Sequence, residues 1–251
     1  MDKIRISAVK YANTYPFIWG LKESGFDKRV IIETDHPSDC AAKLITGKAD
    51  IGLIPVAALP LLQKYFIIGD YCISANGEVR TVLLLSNCPF ADIRVINLDY
   101  RSRSSINLAM VLAKNMWMKK YIWADTSEQF DFENIGNDEA VVLIGDQCFE
   151  FEHRYKYRLD LAGEWKKHTG LPFVFACWVA NRELETGFIK DFNSALKTGV
   201  ENIDKVAAAF GKSGVIKEDD LRRYLKYNID YIFDNEKQNG MKLFLELLKK
   251  L

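Results

Sequence analysis

Histidine is scarce in this chain. Three stand among 251 residues, at His36, His153 and His168, and they are scattered. The five cysteines (Cys40, Cys72, Cys88, Cys148 and Cys177) are odd in number and show no C-x-x-C spacing. A zinc centre draws on clustered Cys and His, so no metal site is expected. Cys72 and Cys177 lie inside apolar runs, the setting of buried free thiols in a reducing compartment. An excess of one charge is missing as well. Lys plus Arg and Asp plus Glu both total 34, and no basic run extends beyond Lys249-Lys250. That excludes the basic footprint of an ordinary nucleic-acid binder. No apolar run reaches membrane-spanning length. The chain enters a strand-like alternation at Ile4 with neither an apolar h-region nor a small-residue cleavage site. A cytoplasmic protein with no membrane association and no obligate protein partner is expected. G-x-G-x-x-G, the phosphate-binding P-loop, G-x-S-x-G and H-E-x-x-H are all absent.

What the chain does contain is a substantial apolar fraction, 49% of its residues, enough for one large domain or two lobes. Ile4 to Val9 reads as a strand, Asn13 to Pro16 as a loop, and Phe17 to Ser24 as a short helix stopped by Gly25. Val30 to Thr34 follows as a strand. A helix then runs from Pro37-Ser38 to Ile45, with Ser38 as candidate N-cap and Gly47 as its stop. Ala49 to Pro55 reads as a strand, apolar without a break from Ile51 on, of the type buried in a parallel sheet. Tyr71 to Ala75 and Val79 to Ser86 are strands separated by the turn signal Asn76-Gly77. The alternation restarts with a strand at Arg94 to Leu98, a helix from Ser104 to Met118, and strands at Tyr121 to Trp123, Ala140 to Ile144 and Phe173 to Ala180. Helices are expected over Ile189 to Ala209, Glu218 to Phe233 and Asn235 to Leu251.

This order predicts an α/β protein with mixed, mainly parallel sheets flanked by helices, in two lobes with a cleft between them. The expected division is 1–86 with 176–251 as one lobe and 87–175 as the other. Ligands of open α/β sheets bind at the carboxyl ends of strands. Three stretches near such ends combine small and hydroxyl side chains. They are Lys10 to Pro16, Asp99 to Ser105 and Thr169 to Ala176. Together they suggest a polar, uncharged pocket for a small anion-bearing ligand.

Ser102, Arg103, Ser104 and Ser105 sit where a helix begins. Unpaired N–H groups and hydroxyls there suit a carboxylate or phosphate, although one serine could simply cap the helix. Asn13 follows the first strand, where its amide can donate and accept, or where it can be an ordinary turn residue. Thr81 sits early in a strand between the lobes, where its hydroxyl could face the cleft, or is there for strand propensity. Gly145 permits close backbone approach after a buried strand, and Asp146 is a possible helix cap or a possible base. None of the three histidines stands in a motif that marks it as a general base.

Taken in order, these motifs resemble the chorismate dehydratase family of the futalosine route to menaquinone. Asn13-Thr14-Tyr15-Pro16 matches the family's Asn-Thr-x-Pro. Gly47 to Pro55 matches Gly-x-x-Asp-x-Gly-Leu-Ile-Pro. Ser102-Arg103-Ser104-Ser105 stands for Ser-Arg-Thr-Ser, and Leu143-Ile144-Gly145-Asp146 for Leu-Ile-Gly-Asp. Asp160-Leu161 with Trp165, then Thr169 to Ala176, complete the set. The resemblance runs nearly end to end. It implies the two-lobed fold of type II periplasmic binding proteins and conversion of chorismate to 3-[(1-carboxyvinyl)oxy]benzoate, a hydro-lyase reaction without a cofactor. It implies catalytic roles for Asn13 and Thr81. It also implies substrate binding by Pro55, Arg103, Ser104, Ser105, Gly145 and Asp146. Thr81 stands where many relatives have Ser, and Ser104 where Thr is commoner.

The proton acceptor is left open between the substrate's own enolpyruvyl carboxylate and Asp146. Three other readings remain. One is the same pathway's 1,4-dihydroxy-6-naphthoate synthase, for which a catalytic histidine is expected. The second is a non-catalytic binding protein for a small acid. The third is a ligand-sensing module, for which no DNA-binding segment is seen.

Overall fold

The computed structural model describes residues 3–99, 104–212 and 216–251. They form two compact units. Met1–Ser74 with Val174–Asn235 make the first, and Ala75–Phe173 with Glu236–Leu251 the second. In chain order the first unit contributes strand β1 (Ile4–Val9), helix α1 (Tyr15–Glu23), β2 (Val30–Asp35), α2 (Pro37–Ile45), β3 (Ile51–Pro55) and β4 (Phe66–Ala75). The second contributes β5 (Val82–Ser86), β6 (Val95–Leu98), α3 (Ser104–Asn115), β7 (Ile122–Asp125), β8 (Glu139–Ile144), α4 (Cys148–Phe151), β9 (Tyr157–Asp160) and α5 (Leu161–Thr169). The chain returns through β10 (Phe173–Ala180), α6 (Thr186–Val200), α7 (Ile203–Phe210), α8 (Glu218–Arg223) and β11 (Asp230–Ile232). It ends in α9 (Asn235–Leu248) of the second unit.

The first unit is built on a six-stranded sheet in the order β11-β4-β10-β3-β1-β2. Its strands β2, β1 and β3 are parallel, and β10 joins β3 antiparallel. Every residue of β3 is buried, as its unbroken apolar run requires. Phe17 of α1 stands edge-on to Trp178 and Tyr231 at centroid distances of 5.7 and 5.3 Å. Helices α1 and α6 pack backbone to backbone at Gly20 and Gly199. A Cβ built on Gly199 would lie 1.7 Å from the carbonyl oxygen of Pro16.

The second unit has a five-stranded sheet, β7-β6-β8-β5-β9. Strand β6 runs parallel to β7 and β8, while β5 is antiparallel to β8 and β9. Helix α5 starts at Asp160, whose Oδ1 accepts from the N–H groups of Ala162 and Gly163 at 3.0 and 2.9 Å. It stops at Gly170, whose φ of +71° is the left-handed cap that glycine adopts without strain.

The turn expected at Asn76-Gly77 carries the chain from one sheet to the other, since β4 pairs with β11 and β5 with β8 and β9. Several other expectations are corrected. Ser38 is not the cap of α2. The helix begins a residue earlier, with His36 as N-cap and Pro37 in the first turn. The loop expected over Asn13 to Pro16 is a 3-10 turn that runs into α1 at Tyr15. The helix expected over Glu218 to Phe233 gives way at Ile229 to β11, which completes the edge of the first sheet.

The unit boundaries at Ser74 and Glu236 also differ from the expected lobes. Strand β5 and the last helix belong to the second unit. Phe244 of α9 is fully buried there, 4.9 Å from the ring of Phe173 and 6.1 Å from that of Trp165. Gly240 lets α9 approach the carbonyl of Pro172, which a Cβ would meet at 2.2 Å.

Candidate functional site

In the first unit, parallel pairing of β1 with β3 brings their carboxyl ends to one edge of the sheet. Asn13 stands there in a 3-10 turn, Ala12–Thr14, directly after β1. Its carbonyl accepts from the Tyr231 hydroxyl at 3.0 Å, and its Oδ1 accepts from Thr14 Oγ1 at 3.3 Å. Burial pushes the Tyr231 phenol well above its usual range, so it stays a neutral donor to that turn. Pro55 ends β3 at the same edge, fully enclosed and paired with Ala176. His36 follows β2 on this edge too, its ring 6.3 Å from that of Tyr11 and edge-on to it. Beneath lies a polar cluster. Ser7 Oγ donates to Asp35 Oδ2 at 2.7 Å, and Lys43 reaches both Asp35 and Glu33.

In the second unit, Leu98 of β6 is in register with Val142 of β8, and Val82 of β5 with Ile144 of β8. The carboxyl ends of β6 and β8 and the start of β5 therefore share one edge. Thr81 sits there, 2% exposed, and its carbonyl accepts from the Gly145 N–H at 2.9 Å. Gly145 has φ +72°, where glycine is favoured, and opens a short turn with Asp146 and Gln147. Asp146 lies one residue before Gln147, the N-cap position of α4. Gln147 Nε2 donates to the buried carboxylate of Asp99 at 2.8 Å, tying this turn to the residue after β6. Ser104 and Ser105 are the first two residues of α3 and are both buried. Ser102 and Arg103 lie outside the described residues.

The expected site residues thus gather in two groups. Asn13 and Pro55 stand on the site edge of the first unit, and Thr81, Ser104, Ser105, Gly145 and Asp146 on that of the second. His153 Nε2 lies 3.4 Å from Glu152 Oε1, and His168 Nε2 lies 3.5 Å from Glu164 Oε2. Burial pushes the Cys40 thiol up to about 12 and holds those of Cys148 and Cys177 high, so these sulfurs are not poised as nucleophiles. Among the described residues no group of three or more His, Cys, Asp or Glu could hold a metal ion. No described helix is long and apolar enough to cross a membrane.

Near Thr81 stand Arg80 and Glu152, which the sequence did not single out, and Asp160, known from it only as part of a motif. Arg80 has φ +67°, a conformation rare for any residue with a Cβ. Its N–H donates to Asp160 Oδ2 at 2.7 Å, and its guanidinium pairs with the buried Glu152 at 2.9 Å. Burial pushes the Asp160 carboxyl up to about 6, against the pull of backbone N–H donors from Gly163, Arg80 and Val79. The native state therefore takes up this proton before the unfolded chain does. The stability contributed by the group falls as pH rises from about 4 through about 6, and returns as pH falls. Denaturant titrations of wild type and Asp160→Asn are expected to diverge across that window. On acidification from pH 7 to pH 4, wild type should gain on the order of 2 kcal/mol relative to the variant. Parallel curves would contradict the assignment.

Comparison with solved structures places the chain in the periplasmic-binding-protein fold. A protein of Archaeoglobus fulgidus superposes with a TM-score of 0.77 at 15% identity, covering 99% of this chain and 97% of that one. A Candida albicans protein described as having the generic periplasmic binding protein fold gives 0.69 at 11% identity, covering 100% and 91%. The alkanesulfonate-binding protein of Xanthomonas axonopodis gives 0.67 at 14%, covering 99% and 92%. Within that fold, the chain belongs to the menaquinone biosynthesis family, whose model matches residues 4–250. It is similar to the chorismate dehydratase of Thermus thermophilus, with 25% identity covering 95% of this chain and 93% of that one. It is likewise similar to the chorismate dehydratase of Campylobacter jejuni, at 24%, 97% and 96%.

Proposed function

We propose that this protein is a chorismate dehydratase, converting chorismate to 3-[(1-carboxyvinyl)oxy]benzoate and water. The observation that carries the reading is similarity to two chorismate dehydratases over nearly the whole length of each. The motif residues also stand at strand carboxyl ends and at a helix start, where a small dicarboxylate finds N–H and hydroxyl donors. In the reaction one ring proton leaves as the neighbouring hydroxyl departs as water, and the ring becomes aromatic. Aromatisation supplies driving force, so a strong protein base is not required. The substrate's enolpyruvyl carboxylate takes the ring proton and relays it to the departing hydroxyl, which leaves as water. Asn13 and Thr81 hold the reacting conformer and hydrogen-bond the departing hydroxyl, while Ser104, Ser105 and Arg103 bind carboxylate. No cofactor takes part.

Purified protein supplied with chorismate alone is expected to yield this product; recovery of unchanged chorismate would contradict the reading. The role of Asp146 is tested separately. Asp146→Asn is expected to keep turnover within about threefold of wild type, because a positioning bond is lost rather than the base. A drop of roughly a thousandfold in folded protein would make Asp146 the base instead.

A second reading, 1,4-dihydroxy-6-naphthoate synthase, gains support from His36, which lies at the edge that carries Asn13. Unimpaired chorismate turnover in His36→Gln would remove that support.

A further inference from the structure

We propose that Arg80 and Asp160 are positioning residues that fix Thr81 at the site edge of the second unit. The inference rests on the reading above that Thr81 meets the substrate. Arg80, immediately before Thr81, is held with φ +67°. A residue with a Cβ keeps that conformation only where its surroundings over-determine it. Here both ends of Arg80 are fastened. Its N–H donates to Asp160 Oδ2 at 2.7 Å. Its guanidinium donates to Glu152 Oε1 at 2.9 Å and lies 4.7 Å over the ring of Phe149.

The two oxygens of Asp160 divide their work. Oδ1 alone accepts both N–H groups at the start of α5. Oδ2 accepts from Arg80, and the Val79 N–H also bonds this carboxylate, so it does more than a cap requires. Glu152 is 4% exposed, and it and Phe149 belong to the segment that follows the Gly145–Asp146 turn. The next residue, Thr81, closes the circuit by accepting from the Gly145 N–H. Arg80 thus joins three pieces of the second unit: the β9–α5 junction, the start of β5 and the turn after β8. Each of these contacts sets the direction in which the Thr81 side chain leaves the backbone.

The test is a double-mutant cycle on chorismate turnover. In Asp160→Asn the amide oxygen continues to cap α5, while the amide nitrogen meets the Arg80 N–H as donor against donor. The expected result is a kcat lowered roughly 10- to 100-fold with KM within about threefold, the pattern of a displaced reacting-group contact. Arg80→Gly keeps the left-handed backbone and loses only the side-chain fastening, and is expected to lower kcat by about tenfold. In a Thr81→Val background, each change should cost nothing further, because the group being positioned is already gone.

Fully additive losses would overturn the proposal, since a merely structural role weakens the enzyme whether or not the hydroxyl is present. Wild-type kcat in both single variants, with Thr81→Val slow, would overturn it and leave the role of Thr81 standing. Wild-type kcat in Thr81→Val would overturn both. If Asp160→Asn does not fold, the cycle between Arg80→Gly and Thr81→Val decides alone.

Discussion

Replacement of Asn13 by alanine is expected to lower chorismate turnover by roughly a hundredfold or more while leaving the protein folded. The turn that carries Asn13 is held by its backbone. Its carbonyl accepts from Tyr231, and the Thr14 N–H donates to the Tyr11 carbonyl at 2.9 Å. Neither bond uses the amide side chain, whose Oδ1 accepts from the Thr14 hydroxyl at 3.3 Å. Truncation therefore removes donor and acceptor capacity at the edge without removing what shapes the edge. The loss should appear in kcat more than in KM if the amide acts on the departing hydroxyl. Steady-state kinetics with a thermal melt on the same sample checks both halves. A near-wild-type rate would remove Asn13 from the chemistry.

The largest stability effect is expected at Gly199. In Gly199→Ala the new methyl would stand 1.7 Å from the carbonyl oxygen of Pro16 and 2.6 Å from its carbon, and both are backbone atoms. No rotamer relieves such contacts, so α1 and α6 must move apart and lose the interface that Gly20 and Gly199 permit. A cost of about 4 kcal/mol or more is expected, read from denaturant unfolding. Because Pro16 lies three residues beyond Asn13, the surviving folded fraction should also be impaired in turnover. An alanine variant within 1 kcal/mol of wild type would show that the helices are not held this closely.

The architecture was legible where local signals agree. The unbroken apolar run of β3 and the strand Phe173–Ala180 identify themselves by run length. Asn76-Gly77 marked a turn, and a turn signal fixes only local chain reversal. Which strands then pair is settled by the sheets on either side. Strand β9 and helix α5 went unread, since Tyr157–Asp160 is short and largely exposed and α5 is rich in charge.

The site divided in the same way. Asn13, Ser104, Ser105, Gly145 and Asp146 were reached through motifs and Thr81 through its place early in a strand and the resemblance, and all of them stand at strand or helix ends. Arg80 was invisible because nothing in an arginine announces a positive φ. That state is imposed by Asp160 and Glu152, which stand 80 and 72 residues away. His36 shows the converse. A lone histidine carries little weight in sequence, yet β2 delivers it to the edge that carries Asn13.

The central claim, that this chain dehydrates chorismate with its own side chains and the substrate's carboxylate, is tested most directly by one time course. The purified protein is incubated with chorismate and a metal chelator, and both compounds are followed by chromatography with mass detection. The account predicts loss of chorismate matched mole for mole by 3-[(1-carboxyvinyl)oxy]benzoate, at a rate proportional to protein and unaffected by the chelator. Chorismate recovered unchanged from folded protein would contradict it.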